Sequence, residues 1–303
     1  MQKVYTPKGF RDILPEMAKK RRDTINKIAD VLESEGFSPI ETPTIEFAET
    51  LTGKYGEEER LIYKFTDRGE RELALRYDLT VPLARFIASN QQLIQKGPFR
   101  RYQIGQVFRG ENPQHGRYRE FTQFDFDTVG SADPEENAKI IAAALEATRS
   151  VGLSNSRMLI NDRANFSSLP IEVIRAYDKL SKIGQNGVDK EIESKGFGKE
   201  EIEKFKFQMT DGKKKIAVDP LFKILSGNHS LEENKDFVFD PTLARGLDYY
   251  TGTIFELKPN DDPSSLSIGA GGRYDNLIGI FAGKPIPAVG FSFGIDRLIE
   301  ALG

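Results

Sequence analysis

The segment Phe108 to Asp127, FRGENPQHGRYREFTQFDFD, sets Arg109, Arg117 and Arg119 around a loop of Gly, Asn, Pro, Gln and His. Acceptors then occupy every second position: Gln123, Asp125, Asp127. Alternate residues of a strand face the same side. These three therefore share one face, and Phe124 and Phe126 share the other. On the preceding stretch, Arg101, Gln103, Gly105, Val107 and Arg109 share a face in the same way. If the two strands pair through the 110–118 loop, arginines and carboxylates line one surface. Arginine grips phosphate as a fork, and carboxylates neutralise an amine. Such a surface fits a ligand carrying both a phosphate and an ammonium. A hairpin with a merely solvated polar face would show the same pattern, so other segments must decide.

Four of them bear on the choice. LRYDLT (Leu75 to Thr80) brings the carboxylate of Asp78 and the hydroxyl of Thr80 to a strand end. LARGLDYYTG sets Arg245 and Asp248 beside Tyr249 and Tyr250. GAGGRYD (Gly269 to Asp275) lets backbone approach a ligand closely, although tight turns use the same residues. PAVGFSFGIDRL reads as a strand, a glycine junction and a helix. It puts Arg297 in the helix's first turn, where free N–H groups and the dipole favour anions.

The elements that must position these residues are legible. Pro15 suits a first helical position, Ile25, Ile28, Ala29 and Leu32 keep helical spacing, and Gly36 offers a left-handed stop. Gly36 to Glu46 is broken by prolines and reads as extended. A strand is predicted over Glu72 to Tyr77, a short helix capped by Thr80 follows, and Phe99 to Phe108 reads as a strand. Asp133-Pro134-Glu135-Glu136 opens a helix with an N-cap, a proline at N1 and a glutamate at N3. That helix runs to about Val151, stops at Gly152 and is followed by a strand in SRMLIND. Residues 166–236 are helical and rich in Lys and Glu, and read as an inserted subdomain between core segments 1–165 and 237–303. Their lysines suit a solvated face or contact with an RNA backbone. Strands with hairpins, and helices on one side, predict an α+β fold with a mostly antiparallel sheet.

Composition narrows the function classes. The chain has 303 residues, 38% hydrophobic and 29% charged, ordinary for a globular protein of about two domains. A net charge of −3 does not suit coating nucleic acid by bulk electrostatics, but allows contact with RNA at one end. There is no cysteine, which excludes disulfides, thiolate metal sites and a cysteine nucleophile. His115 and His229 are too few and too far apart for a histidine zinc site. No leader-type apolar stretch opens the chain, and its longest apolar run, Ile140 to Leu145, is far short of a membrane span. A cytoplasmic protein without membrane contact is the expectation.

Taken together these segments resemble the catalytic core of the histidyl-tRNA synthetase family, within the class II aminoacyl-tRNA synthetases. GFRDILP (Gly9 to Pro15) resembles the family's N-terminal signature, and the first helix with the strand through Pro43 resembles motif 1, the dimerisation motif. FRGENPQHGRYREFTQFDFD resembles motif 2, GFSFGIDRL motif 3, and ARGLDYYTG and GAGGRYD the two histidine-specific signatures. The similarity covers nearly the whole chain and is weakest over 166–236.

The resemblance implies a six-stranded antiparallel sheet flanked by helices, in a homodimer. It implies that L-histidine reacts with ATP, carried with Mg2+, to give histidyl-adenylate and pyrophosphate, and that the histidyl group passes to the acceptor end of tRNA(His). By position, Arg109 would hold the α-phosphate, Glu111 the adenine end, Arg117 the β- and γ-phosphates and Arg297 the γ-phosphate. Asp78, Thr80 and Gln123 would fix the amino and carboxylate groups of histidine, and Asp127 would read the imidazole between Tyr249 and Tyr250. Arg245 would stabilise the charge that builds on the α-phosphate, where other class II enzymes place a metal ion. Two departures stand out. Asn112 occupies a position that is basic in many relatives, and the sequence ends at Gly303. The family normally continues into an anticodon-binding domain of about a hundred residues, which is read as absent. A histidine-sensing, non-catalytic regulatory subunit of ATP phosphoribosyltransferase shares this fold and lacks that domain. Such relatives lose the phosphate-binding arginines that this chain keeps.

Overall fold

A computed structural model describes residues 4–113, 116–210, 212–245, 249–260, 262 and 265–303. Helix α1 (Pro15–Ser34) begins on the predicted proline and buries Thr24, Ile28 and Leu32. Gly36 follows with φ +84°, a conformation that a side chain would strain. The Pro-broken stretch supplies two short strands, β1 (Ser38–Pro39) and β2 (Ile45–Phe47), and then helix α2 (Ala48–Leu51).

Strands β3 (Lys64–Thr66) and β4 (Glu72–Leu75) pair antiparallel, and with β2 they form a small sheet in the order β2-β4-β3. The predicted strand through Tyr77 ends two residues early, because the chain turns there into α3 (Thr80–Ser89). The cap of α3 also differs from expectation. It is Asp78 Oδ1, not the Thr80 hydroxyl, that accepts from the backbone N–H groups of Thr80 and Val81. A carboxylate meets two free N–H groups at once and is the stronger acceptor.

The long hairpin forms as its alternation requires. Strands β5 (Phe99–Phe108) and β6 (Glu120–Val129) pair antiparallel, with Arg101 opposite Asp127, Gln103 opposite Asp125 and Gly105 opposite Gln123. Helix α4 (Pro134–Ser150) starts with the predicted cap, Asp133 accepting from the N–H of Glu135 at 2.9 Å. Strand β7 (Arg157–Asp162) follows. Helices α5 (Ile171–Tyr177), α6 (Leu180–Ser194), α7 (Lys199–Thr210) and α8 (Asp219–Asn228) fill the next stretch. The chain closes with β8 (Phe237–Phe239), β9 (Thr253–Lys258), β10 (Gly269–Arg273), α9 (Gly279–Ala282), β11 (Ala288–Gly294) and α10 (Ile295–Ala301).

The main sheet runs β1-β5-β6-β11-β10-β9-β7-β8. Its inner six strands, from β5 to β7, are antiparallel throughout, and one strand joins each edge in parallel: β1 on β5 and β8 on β7. This is an α+β sheet flanked by helices, two edge strands wider than expected.

Three apolar clusters hold the sheet. The first joins α1, α4, α8 and α10 to one sheet face through Phe124, Phe126, Phe255, Phe291 and Phe293. Phe126 lies 5.5 Å edge-on from Phe37 and 5.6 Å from Phe291, centroid to centroid. The second gathers α2, α3 and α9 around Tyr55, Tyr77 and Tyr274. The third packs α5, α6 and α7 with Leu243, Tyr250 and Ile254. Within 166–236, then, α5 to α7 form their own cluster while Leu221, Phe222 and Leu225 of α8 join the main core. The sheet face carrying Gln123, Asp125 and Asp127 is left to the space between the second and third clusters.

Candidate active site

A cavity of about 520 Å³ occupies that space, a size typical of small-molecule sites. It brings together Asp78, Thr80, Arg109, Glu111, Arg117, Gln123, Asp127, Arg245, Tyr249, Tyr250 and Arg297, which are scattered in sequence from position 78 to position 297. Gln114, His115, Gly246, Leu247 and Asp248, which the motif readings also touched, lie outside the described residues.

The floor is the polar face of β6, and burial dominates its chemistry. Asp78, Asp125 and Asp127 are 4%, 2% and 3% exposed. Burial raises the carboxyl pKa of all three, and lifts that of Asp125 to about 7. Each is held by named partners. Asp78 Oδ1 accepts from the Tyr55 hydroxyl at 3.0 Å besides its two backbone bonds. Asp125 accepts from the Ser292 hydroxyl. Asp127 accepts from the Tyr274 hydroxyl and meets the fully buried Arg101 guanidinium at 2.6 Å, an ion contact whose N–H is not aligned on the acceptor. A side chain at Gly290 would collide with the Asp127 carboxylate, so glycine there makes room for it. Gln123 Nε2 donates to Ser292 Oγ at 2.7 Å, and its Oε1 is buried with no protein partner.

The cations come from three directions. Arg109 is clamped between aromatic rings, its guanidinium carbon 4.2 Å from the Tyr77 ring centre and 5.1 Å from that of Phe121. Its Nε donates to the Tyr77 carbonyl at 3.1 Å. Burial alone would lower its pKa, but Tyr77, Glu58, Glu111 and Asp78 outweigh that and raise it. Arg297 donates to the Ser267 carbonyl at 3.2 Å, and its pKa is lowered by burial and by Arg117 nearby. Arg117 pairs with Glu111 at 3.1 Å, both partly exposed. Arg245 stands 3.5 Å from Glu256 and 5.9 Å from the Tyr250 ring, with its Nε buried and unpartnered. Burial lowers its pKa too, and Tyr250, Asp178, Glu256 and Tyr249 together more than reverse that. The four are held as permanent cations.

The structure adds to three readings of the sequence. Arg119 does not join the other arginines: its Nε donates to the Glu111 carbonyl and its backbone N–H to the Gly9 carbonyl, bracing the N-terminal signature. The first turn of α10 already holds an anion of its own, Asp296, which pairs with Arg11 and Arg21 and accepts from the Thr122 N–H. The glycines of β10 serve packing as well as the cavity, which Gly269 and Gly271 line. A side chain on Gly271 would strike the Gly290 carbonyl and the Phe255 ring, and one on Gly272 the Tyr250 ring. They let aromatic rings close onto the sheet.

Sequence reasoning missed Tyr55, Tyr77, Tyr274, Glu256 and Ser292, all of which line the cavity. Tyr274 lay within GAGGRYD, and Ser292 could have been found by extending the alternation along FSFG. Tyr77 lay within LRYDLT, whereas Tyr55 carried no local signal, because tertiary packing alone brings it to Asp78.

Comparison with known proteins gives the arrangement its context. Residues 9–298 match the model of the histidyl-tRNA synthetase family. A histidine–tRNA ligase of Aeropyrum pernix is 43% identical over 97% of this chain and 73% of its own length. Another, of Treponema denticola, is 39% identical over 97% of this chain and 72% of its own. Among solved structures, a histidyl-tRNA synthetase of Nostoc sp. PCC 7120 superposes with a TM-score of 0.81 at 32% identity, covering 100% of this chain and 76% of that one. A Bacillus halodurans protein described as an ATP phosphoribosyltransferase regulatory subunit/histidyl-tRNA synthetase gives 0.79 at 26%, over 99% and 83%. With identity of this order along almost its entire length, and with the motif residues gathered at one cavity, the chain belongs to the histidyl-tRNA synthetase family.

Proposed function

We propose that this chain is a histidine–tRNA ligase: it activates L-histidine with ATP as histidyl-adenylate and transfers the histidyl group to the 3′ acceptor end of tRNA(His). The observation that carries this reading is the single cavity in which a buried acceptor floor meets Arg109, Arg117, Arg245 and Arg297. Asp78, Thr80 and Gln123 take the α-amino and carboxylate groups of histidine. Asp127 keeps lone pairs beyond those used by Tyr274 and Arg101 and reads the imidazole. Tyr249 and Tyr250, 4.9 Å apart between ring centres, wall the pocket. On the other side Arg109 holds the α-phosphate, Arg117 the β- and γ-phosphates, Arg297 the γ-phosphate and Glu111 the adenine end. Because Glu111 and Arg117 are paired with each other, ATP must take both from that pair. Mg2+ arrives with ATP as part of the substrate.

In the first step a histidine carboxylate oxygen bonds to the α-phosphorus while the bond to the bridging oxygen breaks and pyrophosphate leaves. The attacking carboxylate is already ionised at neutral pH, so no general base is required. Charge grows on the non-bridging α-phosphate oxygens, where the fixed guanidinium groups of Arg245 and Arg109 stabilise it without reorganising. In the second step the terminal ribose hydroxyl of the tRNA displaces AMP.

A homodimer is part of the proposal. Ile45, Phe47 and Phe65 of the small sheet, in and beside the motif 1 region, are 44%, 52% and 40% exposed, an apolar face that suits a second copy. Residues 166–236 are proposed as an insertion into the catalytic core, and the cytoplasm as the site of action. Among the described residues no helix is long and apolar enough to cross a membrane.

The regulatory-subunit reading is not favoured. A histidine sensor has no use for four arginines around the phosphate side of its cavity, and the relatives at 43% and 39% identity are named as ligases. The deciding experiment is histidine-dependent exchange of labelled pyrophosphate into ATP without tRNA. Exchange that needs histidine and Mg2+ supports the reading. Histidine binding without exchange overturns it.

A further inference from the structure

Gln123 has a donor end and an acceptor end, and the protein engages only the donor. Its Nε2 donates to Ser292 Oγ at 2.7 Å, while Oε1 is buried without a protein partner. Half a turn of the amide would exchange the two ends, so something must hold it in this sense. The holder is the next link of the chain, in which Ser292 Oγ donates to Asp125 Oδ1. Register explains the link: on β11, Ser292 lies directly opposite Asp125, and Gly294 opposite Gln123. An ionised carboxylate can only accept. The Ser292 proton is therefore committed to Asp125, and only lone pairs remain for Gln123. The amide must turn Nε2 to Ser292 and keep Oε1 for whatever enters the cavity. Asp125 itself is only 2% exposed, so water has little access to its end of the chain.

We propose that Asp125 and Ser292 are positioning residues that lock Gln123 as an acceptor, so that the cavity selects its amino acid by the ammonium group. The proposal rests on the histidine-activating reading above. A ligand without that ammonium would leave Oε1 buried and unpaired, a penalty of roughly ten- to a hundredfold in affinity.

The surroundings fix the pH at which to look. Asp125 faces Arg101 of β5, Asp127 beside it on β6, Arg76 at the end of β4, Asp78 before α3, and Tyr249, Tyr250 and Tyr274 across the cavity. Burial, opposed by Arg101 and reinforced by Asp127, brings its carboxyl to about 7, so the ionised form prevails at pH 8.

The test compares Asp125→Ala, which leaves the Ser292 hydroxyl no acceptor, Ser292→Ala and the double variant at pH 8. Pyrophosphate exchange gives the KM for histidine and for ATP. Competition binding uses two probes: the alcohol analogue of histidine, which keeps the ammonium, and the des-amino acid, which keeps the carboxylate. Each single variant is expected to raise the histidine KM roughly ten- to a hundredfold and to weaken the alcohol analogue equally. The ATP KM and the des-amino acid should be unmoved. The double variant should be no worse than either single one, since both break the same chain. Additive losses, equal losses for both analogues, or no loss would overturn the proposal.

Heat stability supplies a readout that mere damage would not give. The folded Asp125 carboxyl titrates at about 7 and an unfolded one near 3.9. Its protonated form therefore favours the fold at low pH, and this advantage is lost as pH rises through about 7. Asp125→Asn should be more heat-stable than wild type at pH 8, with the gap closing toward pH 5. Stabilisation in Asp125→Asn beside weaker histidine binding in Asp125→Ala marks a positioning group, whereas a destabilised Asp125→Asn argues against the proposal. Absence of exchange in the wild type would defeat the parent reading. Wild-type exchange with unchanged histidine KM in the variants would defeat only the relay.

Discussion

At the end of the cavity floored by β6, three carboxylates are each less than 5% exposed and tied to Tyr55, Ser292, Tyr274 and Arg101. At the loop end, Arg117 is 33% exposed and Glu111 17%, and the two hold each other. Both ends carry charge, but they obtain it differently. Bonds to the protein offset only part of the desolvation of these carboxyls, whose pKa burial still raises, but the same bonds fix the floor before any ligand arrives. A half-exposed ion pair is screened by water and exchanges partners cheaply. The floor is built to recognise one shape, and the loop to release its pair for a polyphosphate that brings charges of its own.

That contrast can be broken in three places. The largest effect should come from Asp127→Ala, which takes its ion-pair partner from the fully buried guanidinium of Arg101 and leaves it only Asp125 nearby. A loss of about 3–5 kcal/mol in unfolding free energy is expected, read by urea denaturation. A loss below about 1 kcal/mol would mean the floor is no more fixed than the loop. Arg245→Ala comes next. It should slow adenylate formation by roughly 10²–10³, equivalent to about 2.7–4 kcal/mol of transition-state stabilisation, while leaving the oligomeric state of the wild type. Single-turnover rates with size-exclusion chromatography would measure both, and a near-normal rate would remove Arg245 from its proposed role. The smallest effect belongs to Glu111→Gln. Stability should change by no more than about 1 kcal/mol, and the KM should shift for ATP but not for histidine. A Glu111 variant as unstable as Asp127→Ala would erase the distinction between the two ends.

How far the sequence reached follows the same division. The β5–β6 hairpin was legible because period-two alternation is a local property: the order Gln123, Asp125, Asp127 against Phe124 and Phe126 fixes two faces without reference to anything else. Helices α1 and α4 were legible from Pro15, Gly36 and the Asp133 cap for the same reason. The cap of α3 was misassigned because Asp78 and Thr80 are both plausible N-cap residues, and only the turn after β4 determines which side chain reaches the free N–H groups. The glycines of β10 were read as room for a ligand, and Gly269 and Gly271 do line the cavity, but the rings that also need their small size, Phe255, Phe291 and Tyr250, come from elsewhere in the chain.

The sequence by itself determined the residue types at the site, the strands that carry them and, through its motifs, the family. Tertiary structure alone decided which charges are spent on the protein and which remain for a ligand. Arg101, Arg109 and Arg119 are alike on paper. One is buried against Asp127, one is clamped between Tyr77 and Phe121 at the cavity, and one braces the N-terminal signature. The physical reason is that a charge's role depends on its desolvation and its partners. Both are set by residues far away in sequence, which no local pattern can report.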